Sequence, residues 1–242
     1  MDGMSGHSKW SKVKHQKATT DVVKSFAFTK ASRGITVAVR EGGGVTDPEM
    51  NFHLRLAVEK ARAVNMPKDN IERAIERATG EGLAAIEQHV YEGYGHGGVA
   101  IMIEAATDNK QRTVSQVKNT LERAGGTLAS PGAVGYLFTR VGLLTVAKGE
   151  TTYETILASV IDAGGEDVLE MEDVFEVYTK YQDLASVRHK LEAAGVVIDN
   201  AVLILHPTTT VTATDEVRTK IEALVESLES LDDVQTVYTN MA

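Results

Sequence analysis

Between residue 143 and about residue 200 the apolar pattern runs strand, helix, strand, strand, helix, strand, and that order leaves few folds open. The strands read as 143–147, 166–170, 174–178 and a run from Val196, with helices over 151–163 and 183–194 between them. Such a β-α-β-β-α-β succession is the ferredoxin-like split arrangement. The stretches on either side cannot close a core alone. Residues 85–128 supply a β-branched strand, Val99–Ala105, and a helix over 110–124 that turns Val114, Val117, Leu121 and Ala124 inward before Gly125-Gly126. Residues 202–239 supply a strand, a helix over 214–230 and a last strand, Val234–Tyr238; Val134–Phe138 is also strand-like. A sheet or helix with one apolar face must bury it against another element. The two fragments are therefore expected to join, with the ferredoxin-like unit inserted between them.

The chain opens differently. Up to Gly80 the period is helical: Phe28, Ala31, Ile35, Ala38 and Val39 share one face, and Gly42-Gly43-Gly44 stops the pattern. Gly34 sits inside that helix and weakens it by roughly 1 kcal/mol relative to alanine. Asp47 before Pro48 reads as the next helix start, followed by a stripe of Leu54, Ala57, Val58, Ala61 and Val64. A third helix starts at Pro67 and carries Ile71, Ala74, Ile75 and Ala78 to Gly80. The expected class is α+β with three domains: a basic tail and helical bundle over 1–80, a discontinuous α/β domain over 81–132 plus 202–242, and an inserted ferredoxin-like α/β domain over 133–201.

Charge is distributed as unevenly as period. Residues 1–80 hold 14 Lys/Arg against 9 Asp/Glu, while the other 162 hold 11 against 25, which together make the net charge of −9. A basic front on an acidic body is what a protein needs when one part meets phosphate and the rest must not. The chain has no cysteine, which removes disulfides, cysteine-ligated metals and a thiol nucleophile from consideration. No run reaches the roughly 18–20 apolar residues of a membrane span, and no apolar run follows the first lysines, so a cytoplasmic protein with no membrane partner is expected.

Enzyme motifs are missing or misplaced. Gly93-Tyr94-Gly95-His96-Gly97-Gly98 fits G-x-G-x-x-G, but it opens a strand where a dinucleotide site needs it to open a helix, and it reads as a turn. None of the seven histidines pairs with another at metal-binding spacing, and no nucleophile elbow or P-loop is present. Acidic pairs such as Asp232-Asp233 sit beside strands and read as their ends. No catalytic residue, cofactor, metal or small-molecule substrate is expected.

The segment from Gly6 to Lys17 points elsewhere. Lys9, Lys12, Lys14 and Lys17 fall within nine residues, with Trp10, the only tryptophan, and His15 among them and His7 just before. Lysines neutralise phosphates and release counterions, and flat rings stack on unpaired bases, each stack worth roughly 1–3 kcal/mol. The alternative for the ring is to pack on the helical bundle and fix the tail, which leaves the lysines exposed in either case.

The same residues carry a family resemblance. Gly6-His7-Ser8-Lys9-Trp10, Lys14-His15 and Lys17-Ala18 resemble the opening of the YebC/PmpR proteins, and Phe28-Thr29-Lys30 matches their next element. Asn65-Met66-Pro67-Lys68-Asp69-Asn70-Ile71-Glu72-Arg73-Ala74-Ile75 reproduces their most distinctive stretch. Glu92-Gly93-Tyr94-Gly95, Thr107-Asp108-Asn109, Arg112-Thr113-Val114 and Glu166-Asp167-Val168 continue it in order. The resemblance implies three domains, the middle one discontinuous, and a role in controlling gene expression. Two accounts of that role compete within the family: transcriptional regulators that bind promoter DNA, and ribosome-associated translation factors, among them a mitochondrial translational activator and bacterial members that help synthesis through proline-rich stretches. The sequence departs from the family pattern at Gln16, Val23, Phe26 and Gly34, and at His96, where the family has proline.

The expected function is a non-enzymatic nucleic-acid-binding regulator, with DNA-binding transcriptional regulation as the first reading and ribosomal RNA binding as the alternative. The expected phosphate-contacting and stacking residues are Lys9, Trp10, Lys12, Lys14, His15, Lys17, Lys24, Lys30, Arg33, Lys68 and Arg73.

Overall fold

The structure, a computed structural model, describes residues 21–79 and 86–242, with side chains from Lys24 onward. The segment holding Lys9, Trp10, Lys12, Lys14, His15 and Lys17 lies outside the described residues. In chain order the elements are α1 (Asp21–Glu41), α2 (Phe52–Ala63), α3 (Lys68–Thr79), β1 (Glu87–Tyr94), β2 (Ala100–Thr107), α4 (Lys110–Arg123) and β3 (Thr127–Leu128). There follow β4 (Phe138–Ala147), α5 (Tyr153–Ala163), β5 (Asp167–Glu170), β6 (Val174–Lys180), α6 (Leu184–Ala193), β7 (Ile198–Pro207), α7 (Asp215–Glu229) and β8 (Val234–Thr239). Two compact units result: one runs to Leu137 and resumes over Pro207–Ala242, and the other is Phe138–His206. The fold is mixed α+β, helical first and sheet-containing after.

In the first unit, α1, α2 and α3 enclose a core of Ile35, Ala38, Val39, Leu54, Val58, Ala61, Met66, Ile71 and Ala74. The second helix begins at Phe52, later than the Asp47-Pro48 signal suggests. Asp47 closes a turn instead: its Oδ1 accepts from the Glu49 N–H at 2.9 Å and its carbonyl accepts from the Asn51 N–H at 2.9 Å. Asn51 is the true cap, its Oδ1 taking the Leu54 N–H at 3.1 Å.

The sheet of this unit has the order β3-β1-β2-β8. β1 and β2 form an antiparallel hairpin from Glu87↔Thr107 to Tyr94↔Ala100, and β8 pairs antiparallel with β2 through a bulge at Glu104/Ala105. Gly95–Val99 makes the hairpin turn, with Gly97 at φ 70 and Gly98 at φ 74, a left-handed region that glycine enters without penalty. α4 and α7 cover one face, where Ile101, Ile103, Val117, Leu121, Ile221, Leu224 and Val237 belong to a single cluster. The segment expected to be a strand at Val134–Phe138 is a 3-10 turn at Gly135–Leu137, with β4 starting after it. The Glu92 carboxylate imposes the turn by accepting the N–H groups of Gly132, Val134 and Gly135 at 2.6, 2.7 and 2.8 Å. Burial pushes the Glu92 carboxyl up, but these backbone donors outweigh it and hold the group below its usual range.

The second unit has the strand order β5-β6-β4-β7, the ferredoxin-like order for its βαββαβ succession. Leu144, Val146, Ile156, Val160, Phe175, Val177, Leu184, Val187 and Leu191 are buried in it. Periodicity ends the inserted segment at 201, but β7 continues unbroken to Pro207 and the unit runs to His206. The sequence signal there misleads because Asp199-Asn200, residues disfavoured in strands, sit inside β7 without interrupting it.

Candidate nucleic-acid interface

α1 carries Lys24, Lys30 and Arg33 among the candidate cations, and its two sides do different jobs. At 100° per residue, Lys30, Arg33, Val37 and Arg40 make one stripe, roughly opposite Ile35, Ala38 and Val39 of the bundle core. That stripe faces the sheet. The Lys30 Nζ donates to the Glu229 carbonyl at 2.5 Å and lies 5.0 Å from the Phe26 ring centroid. The Arg40 Nη1 donates to the Ile86 carbonyl at 2.8 Å. Arg33 is held most densely: its Nη1 lies 2.7 Å from Asp233 Oδ1 and also donates to the Asp232 carbonyl. Lys24 is exposed near the start of the helix.

Asp233 is only 1 % exposed, and a single buried carboxylate needs several donors. It has them. The Arg112 Nη2 approaches Oδ2 at 2.9 Å and Oδ1 at 3.1 Å, and the Thr113 and Thr107 hydroxyls donate to Oδ2 at 2.6 and 3.0 Å. Arg112 is itself balanced by Asp108 Oδ1 at 2.7 Å. Burial raises the Asp233 carboxyl, but the hydroxyl of Thr113 and the guanidinium of Arg112, with Arg33 and Thr107 behind them, hold it below its ordinary value. Local structure positions these groups: Thr107 ends β2, Asn109 caps α4 by accepting from the Arg112 N–H at 3.0 Å, and the first turn of α4 then presents Arg112 and Thr113. One carboxylate beside β8 thus ties together β2, α4 and α1.

On α3 the setting is open. Lys68 is 84 % exposed at its side chain and sits 3.4 Å from Glu72, a solvated i,i+4 pair. Arg73 is exposed, its Nε donating to the Asp69 carbonyl at 3.0 Å and its Nη2 to Asn70 Oδ1 at 2.5 Å. The described candidates therefore divide. Lys68, Arg73 and Lys24 present charge to solvent, whereas Lys30 and Arg33 direct theirs at the end of α7 and the turn that leads into β8.

Sequence reasoning missed the Asp233 cluster, because Asp232-Asp233 reads as a strand end. Its other members stand in plain view in Thr107-Asp108-Asn109 and Arg112-Thr113, but only the fold brings residue 233 to them. Among the described residues no group of histidines and carboxylates is placed to hold a metal ion, and no helix is long and apolar enough to cross a membrane.

Comparison with known proteins covers nearly the whole chain. Residues 8–81 match the TACO1/YebC protein N-terminal domain, and residues 86–241 match the TACO1/YebC second and third domain. A probable transcriptional regulatory protein of Roseiflexus castenholzii is 47 % identical over 243 residues, covering 98 % of this chain and 95 % of its own length. A protein of the same description from Pasteurella multocida is 45 % identical over 239 residues, with 98 % and 96 % covered. The crystal structure of a conserved hypothetical protein from Aquifex aeolicus superposes with a TM-score of 0.84 at 41 % identity, covering 97 % of this chain and 96 % of that one.

Proposed function

Since this chain belongs to the TACO1/YebC family, we propose that it is a non-enzymatic, cytoplasmic regulator of gene expression that binds promoter DNA through its basic N-terminal region. Its relatives are named probable transcriptional regulatory proteins, which supports the regulatory role. The observation that carries nucleic-acid binding is the charge division: 14 Lys/Arg against 9 Asp/Glu in residues 1–80, and 11 against 25 beyond. Phosphate attraction needs no base reading and is long-ranged, so an acidic body directs the basic end toward the polyanion. Lys9, Lys12, Lys14 and Lys17 supply the density of charge; Lys24, Lys68 and Arg73 add solvent-facing cations behind them.

One observation favours a second target. Trp10 and His15 stand among the lysines, and ring stacking requires an unpaired base, which ribosomal RNA offers and a DNA duplex does not. Sedimentation separates the two. The DNA reading expects the protein to stay in the ribosome-free fraction of a lysate and to retain promoter fragments tightly. Cosedimentation with ribosomes at low salt, abolished at high salt, together with weak promoter retention, would replace it with the ribosomal one.

A further inference from the structure

Among the described residues the helical bundle and the sheet of the first unit have separate apolar cores: the cluster around Ile35 and Leu54 shares no side chain with the cluster around Ile101 and Leu224. Across the seam run hydrogen bonds from the cations of α1: Lys30 to the Glu229 carbonyl, Arg33 to Asp233 and the Asp232 carbonyl, Arg40 to the Ile86 carbonyl. Breaking a buried ion pair is ordinarily prohibitive because it strands the remaining charge. Here it does not. When Arg33 leaves, Asp233 keeps the Arg112 fork and both threonine hydroxyls, and Arg112 keeps Asp108. Arg33 itself is 19 % exposed at its side chain and steps into water, or onto a phosphate.

We propose that Arg33 is a two-partner latch: Asp233 holds it while the protein is free, and a phosphodiester oxygen of bound nucleic acid takes it over, releasing α1 and its bundle from the sheet. This rests on the nucleic-acid reading above and adds to it a conformational step and a residue that carries it. A guanidinium suits both partners, since carboxylate and phosphate present the same pair of acceptors to its N–H groups. The exchange also explains why a cation in the helix next to the basic arm is tied down in the free protein. Its charge becomes available only at the moment a polyanion competes for it.

The chain contains no cysteine, so paired spin labels at Ser25→Cys and Ser227→Cys report the α1–α7 distance without competing thiols. The free protein should give one narrow distance distribution. Arg33→Met, which leaves Asp233 its other partners, should lengthen and broaden it with no ligand present, and Asp233→Asn should do the same. Saturating a 40-base-pair DNA duplex, or in a parallel arm a 20-nucleotide single-stranded RNA, should move the unsubstituted protein toward the R33M distribution, and whichever arm does so identifies the source of the phosphate. An R33M distribution identical to that of the unsubstituted protein overturns the latch. So does a nucleic-acid-saturated protein whose distances stay put. If neither probe is retained while R33M still opens, it is the nucleic-acid reading that fails, and phosphate as the competitor fails with it.

Discussion

Among the described residues a methyl group at Gly34 would meet only Gln235 Oε1, at 3.6 Å, which is ordinary van der Waals separation. The residue lies inside α1 with no left-handed backbone to require glycine. Its flexibility is therefore a cost to the helix with no steric return. Gly34→Ala should stabilise the protein by about 0.5–1 kcal/mol, since alanine loses less backbone entropy on entering a helix. For a chain of this size that corresponds to roughly 1–4 °C in Tm. A fall in Tm would mean that the seam between α1 and β8 is packed more tightly than that separation indicates. The neighbouring residue Arg33 teaches the opposite lesson. Its charge points to phosphate from sequence alone, and only its place one turn along from Lys30, facing β8, gives it a carboxylate to hold.

At the scale of elements, period is informative and starting points are not. The helices and the βαββαβ order follow from apolar spacing, because a buried face repeats with the geometry of its element; β1, Glu87–Tyr94, does not, because most of its residues are polar and only Tyr91 and Gly93 are buried. The start of α2 does not follow, because Asp47-Pro48 and Asn51 are both chemically adequate caps and only tertiary packing chooses between them. Asn51, 3 % exposed, also donates through Nδ2 to the Ala38 carbonyl at 3.1 Å and the Val45 carbonyl at 2.9 Å, fastening α2 to the end of α1. Gly42 makes room for it: a Cβ there would lie 2.0 Å from that nitrogen. Asn51→Ala should cost on the order of 2–3 kcal/mol, from removal of the cap and of the amide donor to both carbonyls, of which Ala38 keeps the Gly42 N–H at 3.1 Å. Asn51→Asp restores the cap acceptor but turns an oxygen toward those carbonyls, so it should recover no more than about 1 kcal/mol in urea unfolding. An aspartate variant as stable as the original would show that the amide donor contributes nothing.

For the whole molecule, the legible part is the division of charge, and the illegible part is which cations remain available. Counting Lys and Arg treats every basic residue as equivalent, yet Arg33 is neutralised by a carboxylate near the opposite end of the chain, while Lys68 keeps its ammonium in water beside a solvated glutamate. Among the described residues the available charge is thereby shifted toward the exposed face of α3. This distribution has a quantitative consequence in solution. Each phosphate neutralised by a lysine releases a counterion, so the logarithm of affinity falls with the logarithm of salt by about 0.9 per neutralised phosphate on duplex DNA. Replacing Lys9, Lys12, Lys14 and Lys17 by alanine should flatten that dependence by about one unit of slope for each phosphate that is no longer neutralised, and weaken binding at low salt most. Arg112→Met, which alters a cation held by Asp233 and Asp108, should leave the slope where it was even if it lowers stability. Titrating duplex retention across a salt series with both variants checks the pair together. Equal slopes for the quadruple variant and the unsubstituted chain would place the phosphate-binding groups elsewhere, because no change confined to packing or stability preserves the count of ions released while removing the groups that release them.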